Sequence, residues 1–231
     1  MSDQNFDSFE SNWDELPEES SWNEHQWRKY LDDSDGDIER FLHIYETFKD
    51  IPGHFDEIIT QMGWDAEDIS LTEDFDFTEL EEDSEESLDE DEVITPYTPL
   101  NHPVVVVTYA LYASLRKIWE NYIANNGSYV SPQTCWQYAD SLHRAEINVI
   151  FAVHAIDLGD YGLTICHLKN SLSALNDTLS LLDQVFHPDE DFLDSLLKEI
   201  RVRLFDLREL WLRVMGDCRV ECNRRIDSDS D

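Results

Sequence analysis

Apolar residues recur with a helical period of about 3.6 through the second half of this chain. Val104, Val107, Leu111, Leu115, Ile118 and Tyr122 form one stripe of a first long helix, which Asn125, Asn126 and Gly127 end. Its Val-rich start has strand-like composition, but the continuing period decides for helix. Ser131 and Pro132 supply an N-cap and an N1 proline for a second helix ending near Leu158. Gly159 and Gly162 bracket the next turn. A third helix carries Leu168, Leu172, Leu175, Leu179, Leu182 and Phe186, closed by His187 and Pro188. The fourth, over residues 189–225, has a core stripe of Leu193, Leu196, Ile200, Leu204, Leu207, Trp211, Val214 and Cys218. It is acidic in its first turn and Arg-rich at its end, as the helix dipole prefers. Four amphipathic helices joined by short connections predict an all-α protein with an antiparallel four-helix bundle over residues 102–226. The last helix is the longest, so its final turns should project beyond the bundle or bind something.

The first half has a weaker pattern. Trp22, Gln26, Trp27, Tyr30 and Leu31 share one side of a short predicted helix, which the acidic run 32–37 interrupts. Ser34 and Asp37 have the spacing of a capping box for a second segment, in which Ile38, Phe41, Leu42, Tyr45 and Phe48 are amphipathic. Pro52 and Gly53 stop that segment. Phe55, Ile58, Ile59 and Met62 predict one more short helix, with Gly63 at its C′ position. Residues 22–64 thus read as a small acidic helical unit whose core is too small to hold a fold alone. Residues 1–21 alternate acids with Phe6, Phe9 and Trp13 and read as a disordered arm that orders on a partner. Residues 65–101 read as an acidic low-complexity linker that Pro96, Pro99 and Pro103 close, and residues 227–231 as an acidic tail.

Charge sharpens this division. Residues 1–98 hold 33 Asp/Glu and 4 Lys/Arg, so they carry −29 of the formal −36; the other 133 residues carry −7. Salt adaptation would spread carboxylates over every surface, whereas this segregation suits capture of something cationic. Residues 73–92 alone hold 13 Asp/Glu and no Lys or Arg, and neighbouring carboxylates within a Debye length of about 8 Å repel, which predicts an extended segment. The acidic N-terminus has no cationic and apolar run of the secretory kind, and the apolar run 104–115 is shorter than the ~20 residues a membrane span needs. These features predict a cytoplasmic protein off the membrane. Cys135, Cys166, Cys218 and Cys222 form no CxxC pair and read as free thiols of a reducing compartment.

Several chemistries can be weighed. Glu146 lies near the centre of the second helix's apolar arc, with His143 and His154 to one side. A carboxylate there must be paired, metal-bound or protonated. Ferritin-like di-iron bundles need two Glu-x-x-His motifs, and His143 to Glu146 has the reverse order. The preferred reading is a core Glu satisfied by a Tyr, His or Arg of a facing helix, for instance Tyr122, with no metal and no cofactor. His167 sits on a bundle helix, yet Lys169 and Asn170 fail the His-x-x-Lys-Gly pattern of histidine phosphotransfer domains. Gly36 with Asp33 and Asp35 suggests a calcium loop, but the first and last ligand positions would be Leu31 and Leu42. No phosphate-cradling loop, nucleophile elbow or paired zinc motif is present. A net −36 also disfavours direct nucleic-acid binding.

Two surfaces stand out as candidates. Trp13, Trp22, Trp27, Phe41 and Tyr45 are aromatic anchors within the acidic region, suited to fixing a partner's pose. On the last helix, Val202, Phe205 and Leu212 lie opposite the core stripe among Lys198, Arg201, Arg208 and Arg213. Apolar groups on the wet side of a bundle suggest a docking face, on which the acidic N-terminal region would fold back. The function expected is that of a non-enzymatic adaptor or chaperone-like protein whose acidic region captures a basic partner, with the bundle as scaffold. A nucleic-acid mimic that inhibits a DNA- or RNA-binding protein is the alternative, and a metal-binding or enzymatic bundle centred on Glu146 is a third. Self-association stays open.

Overall fold

The computed structural model describes residues 22–64, 98–126, 130–185 and 191–228. Six α-helices account for nearly all of them: α1 (Glu24–Phe48), α2 (His54–Met62), α3 (Pro103–Asn126), α4 (Pro132–Asp157), α5 (Tyr161–Val185) and α6 (Asp191–Ser228). A single 3-10 turn, Pro99–Asn101, leads into α3, and no strand occurs among the described residues. No helix among them is long and apolar enough to cross a membrane.

Helix α4 starts and stops where capping chemistry dictates. Ser131 accepts from the Thr134 N–H at the head of α4, with Pro132 in the first turn. Between α4 and α5, Gly159 adopts a φ of 68°, and a Cβ there would meet the Arg225 guanidinium at 3.2 Å. The positive φ selects glycine at this turn, while the guanidinium, at the end of a flexible side chain, could give way. Side-chain pairs give the relative directions. Arg116 with Glu146, and Trp119 stacked on Tyr138, set α3 antiparallel to α4. Ser141 with Thr178, Arg144 with Asp177 and Thr164 with the Ala152 carbonyl set α4 antiparallel to α5. Tyr161 with Arg225 and Asp183 with Arg201 do so for α5 and α6, and Ser114 with Arg203 and Thr108 with Trp211 for α3 and α6. The small residues along the α4–α5 seam let these two helices approach closely, and their buried hydroxyls donate to neighbouring carbonyls.

Helix α3 is the centre of the core. Val104, Val105, Val106 and Val107 are all buried, so its first turn is covered on every side rather than along a stripe. The cover on the fourth side is α1, which packs along α3 and shares its core cluster through Phe41 and Tyr45, with Phe55, Ile58 and Met62 of α2. In α6, Ile200, Leu204, Leu207, Trp211, Val214 and Cys218 are buried as the periodicity predicts. Its last turns do not hang free. Arg225 donates to the Gly159 carbonyl at 2.8 Å and lies over the Tyr161 ring at 4.6 Å, so α6 stays packed on the α4–α5 turn.

The expected break in the first helix is not present. Helix α1 runs unbroken for 25 residues through the acidic run. Its capping box is formed by Asn23 and Gln26, not by Ser34 and Asp37, and Ser34 is buried inside the helix. The energetics explain the difference. Gly36 costs about 1 kcal/mol relative to Ala, and like charges on a solvated helix cost only ~0.2–0.5 kcal/mol per pair. Burying an aromatic side chain returns about 1.5–3 kcal/mol, and Tyr30, Phe41 and Tyr45 stay in phase on one stripe only if the helix is continuous. The second helix of this unit ends as expected, at Gly63 with a φ of 80°.

Candidate interaction surface

A polar network locks the acidic helical unit against α6. Tyr45 on α1 is fully buried and donates its hydroxyl to Asp206 Oδ2 at 2.5 Å. His54, at the start of α2, sets Nε2 3.2 Å from the same oxygen and Nδ1 3.2 Å from the Ile51 carbonyl. Arg203 is 2% exposed and lies with its guanidinium against the Tyr45 ring, 5.6 Å from the centroid. It donates to Ser114 Oγ at 3.0 Å and to the Glu199 carbonyl at 3.1 Å, and pairs with the carboxylates of Glu46 and Glu199. Lys49 bridges the same two carboxylates, and Arg213 reaches Asp56 of α2 at 3.1 Å.

Burial, and then the Asp206 hydrogen bond, push the Tyr45 hydroxyl far above its ordinary value, so it remains a donor at every physiological pH. At Glu46 burial acts upward, but the hydrogen bond from Lys49 and the charge of Arg203 outweigh it and hold the carboxyl below its usual range. At Lys49 burial acts downward, and the Glu46 hydrogen bond overcomes it to raise the ammonium. Such a network fixes the rotation of α1, because each polar atom has one position in which it is satisfied.

With the core stripe turned inward, the opposite side of α1 carries acids. At 100° per residue Asp32, Asp35 and Glu39 fall within about 60° of one another, at axial steps of about 4.5 and 6 Å. All three are exposed, and Glu46, in the same arc, is paired with Lys49 and Arg203. At the head of the helix Trp22, Trp27 and Tyr30 meet edge to face, with centroids 5.2 to 6.0 Å apart, and the Tyr30 hydroxyl lies 3.0 Å from Thr98 Oγ1. Trp27 remains 37% exposed.

These positions divide the predicted aromatic anchors. Trp22 and Trp27 lie together at the head of α1, on the side of its core stripe; Trp27 is partly exposed, and Trp22 is half-buried. Phe41 and Tyr45 are completely buried and belong to the core, which corrects their assignment to a partner-binding surface. An acidic neighbourhood had suggested exposure, but the acids occupy the other side of the same helix. Trp13, with the rest of the arm and the segment 65–97, lies outside the described residues.

The outer face of α6 is as expected in part. Phe205 and Leu212 are 49% and 44% exposed, Lys198 and Arg208 are exposed, and Val202 is half-buried. Phe205, Arg208, Glu209, Leu212 and Arg213 line a shallow groove of about 410 Å³. The helical unit 22–64 does not cover it. That unit packs on the adjoining flank of α6, through Arg203, Asp206 and Arg213. Arg201 is paired with Asp183, and Arg213 with Asp56 and Glu209, so these two guanidinia are engaged along the rims.

Glu146 is buried and satisfied from a facing helix, as expected, by an Arg: it pairs with the Arg116 guanidinium of α3 rather than with Tyr122. His143 faces solvent on the same helix, so the two do not form one site. Tyr109 and Tyr112 lie nearby, and burial, then the Glu146 charge, raises both hydroxyls. Among the described residues no group of three or more His, Cys, Asp or Glu is placed to hold a metal ion. His167 contacts Asn148 Oδ1 at 3.2 Å and the Phe151 ring. The Arg203–Asp206 network was missed in the sequence, because Arg203 falls at the edge of the apolar arc of α6 and Asp206 outside it; both are buried where the acidic helical unit packs on that flank. Comparison with protein-family models, with curated proteins and with solved structures gives no match.

Proposed function

We propose that the chain is a non-enzymatic acidic interaction protein, of adaptor or chaperone-like type, that captures a basic protein partner through its N-terminal region. Helices α3 to α6 serve as its scaffold in the manner of an antiparallel four-helix bundle. The observation that carries this reading is the solvent face of α1. Asp32, Asp35 and Glu39 stand in one rank on a helix whose other side is locked into the core, and Trp27, 37% exposed, lies at the head of the same helix, around its flank from that rank. A rigid row of carboxylates steers a cationic surface and holds its register without an ordering cost, while the indole supplies apolar contact where the partner docks.

The same rank favours one second reading. Carboxylates at steps of about 4.5 and 6 Å on a rigid helix imitate a phosphate row, as an inhibitor of a DNA- or RNA-binding protein would need. An enzymatic or metal site at Glu146 has less behind it, because one carboxylate oxygen is already paired with the Arg116 guanidinium and no second metal-ligating side chain stands with it among the described residues. The two binding readings separate in a capture experiment with the full chain as bait, at low and high salt, with and without excess duplex DNA. A basic protein that is lost at high salt but not to DNA supports the adaptor. A nuclease, polymerase or repressor competed off by DNA supports the mimic. A partner retained equally by wild type and by D32N/D35N/E39Q would defeat both.

A further inference from the structure

We infer that the outer face of α6 is the docking surface for the chain's own residues 1–21. Placed at 100° per residue, Val202, Phe205, Leu212, Gly216 and Val220 fall within an arc of about 80°, opposite the buried arc. Phe205, Leu212 and Val220 are 49%, 44% and 59% exposed, so a line of apolar groups runs about 27 Å along a helix that has no neighbour there among the described residues. Exposed Lys198 stands at the N-terminal end of this line, and exposed Arg208 and Arg219 run along one edge; none of the three makes an ion pair with a described residue, and the one carboxylate within the line, Glu209, is paired with Arg213. An apolar line edged by open cations fits a segment with apolar anchors and carboxylates.

Residues 1–21 have that chemistry. They contain seven carboxylates and no Lys or Arg, and their anchors Phe6, Phe9 and Trp13 have the i, i+3, i+7 spacing by which a short helix presents one face. Phe205, Arg208 and Leu212 repeat that spacing, so the two rows match in length, each spanning about 10 Å. Connectivity allows the contact. Tyr45 meets Asp206 and Lys49, one turn on, meets Glu199, which makes α1 antiparallel to α6 and puts Trp22 towards the C-terminal end of α6. Trp22 then lies about 14 Å beyond Val220 along the axis, while the nine residue steps from Trp22 back to Trp13 extend to ~30 Å. The arm therefore lies parallel to α6, with Trp13 near Leu212 and Phe6 near Phe205. Two copies of the α6 face would oppose their cations, which disfavours direct pairing of this face with itself. The contact belongs to the free chain and does not depend on the partner proposed above.

Carbodiimide coupling of the purified full chain at low salt, read by mass spectrometry, tests it. The expected product is an intramolecular amide between Lys198 and Asp3 or Asp7, lost in L212S and lost at about 0.5 M salt, where the Debye length falls to ~4 Å. Leu212 is on the surface, and circular dichroism of L212S verifies that the helices are intact. No such amide, or one that L212S leaves unchanged, overturns the proposal. Mixed 14N and 15N chains that give hybrid-mass products overturn it in favour of a second copy as occupant. Amide spectra provide an independent readout: F6A/F9A/W13A should shift residues 202–220 of α6, and unshifted outer-face amides would refute the contact.

Discussion

Substituting Arg203 by Met tests whether the acidic unit is part of one cooperative fold. Met keeps most of the apolar stem against Tyr45, and removes the donors to Ser114, to the Glu199 carbonyl and to the carboxylates of Glu46 and Glu199. Breaking a buried ion pair from one side costs about 3–5 kcal/mol. Here the two carboxylates are 45% and 41% exposed and can be hydrated once the guanidinium is gone, which brings the expected loss down to roughly 2 kcal/mol. For a chain of this size that corresponds to a fall in Tm of about 4–8 °C. Urea unfolding followed by circular dichroism gives the free energy. Limited proteolysis within residues 22–64 shows whether α1 loosens before the remainder. Combined with E46Q in a double-mutant cycle, R203M should show a coupling of about 0.5–1 kcal/mol. An R203M stability within about 0.5 kcal/mol of wild type, with unchanged proteolysis of α1, would refute the idea that this network seats the acidic helix.

Other expectations follow from the same contacts. F41A removes a fully buried ring and should lose about 3–5 kcal/mol, whereas W27A, at a half-open position, should stay within about 1 kcal/mol of wild type in the same unfolding assay. Glu46 has a native value below its ordinary 4.5, so it contributes stability above that pH and loses it as the pH falls through the native value. Wild type should therefore lose more stability than E46Q between about pH 5 and pH 3 in acid titrations of Tm. R116M leaves the buried Glu146 carboxylate without its partner and should cost about 3–5 kcal/mol, while R116M/E146L should recover much of that loss; equal losses in both would show that the pair is not what holds the site.

Much of the architecture was legible because burial leaves a period in the sequence. The stripes of α3 and α6, the Ser131–Pro132 start of α4 and the Gly63 stop are each local signals that packing did not overrule. Helix α1 was misread for a physical reason. A run of Asp residues around a glycine has poor helix propensity, but propensity is worth tenths of a kilocalorie per residue and the stripe from Tyr30 through Phe41 to Tyr45 is worth more. The same error placed Phe41 and Tyr45 on the surface. Periodicity shows which side of a helix is buried, but not where one helix sits along another. That register decides that Arg116, not Tyr122, meets Glu146, and that Arg203 and Asp206 meet Tyr45 and His54 across more than 150 residues of chain. The apolar line on α6 was visible in the sequence because it contradicts amphipathicity; which flank of it α1 and α2 would cover was not.

The most direct test of the acidic ridge as a capture surface is its association rate with the partner recovered by the full chain, measured by stopped flow across a range of salt. Electrostatic capture predicts a wild-type kon that falls at least about tenfold as salt rises. It predicts a D32N/D35N/E39Q chain, still folded by circular dichroism, whose kon is slow and nearly independent of salt. A triple variant that associates as fast as wild type, with the same salt dependence, would contradict the claim that α1 is the capturing surface.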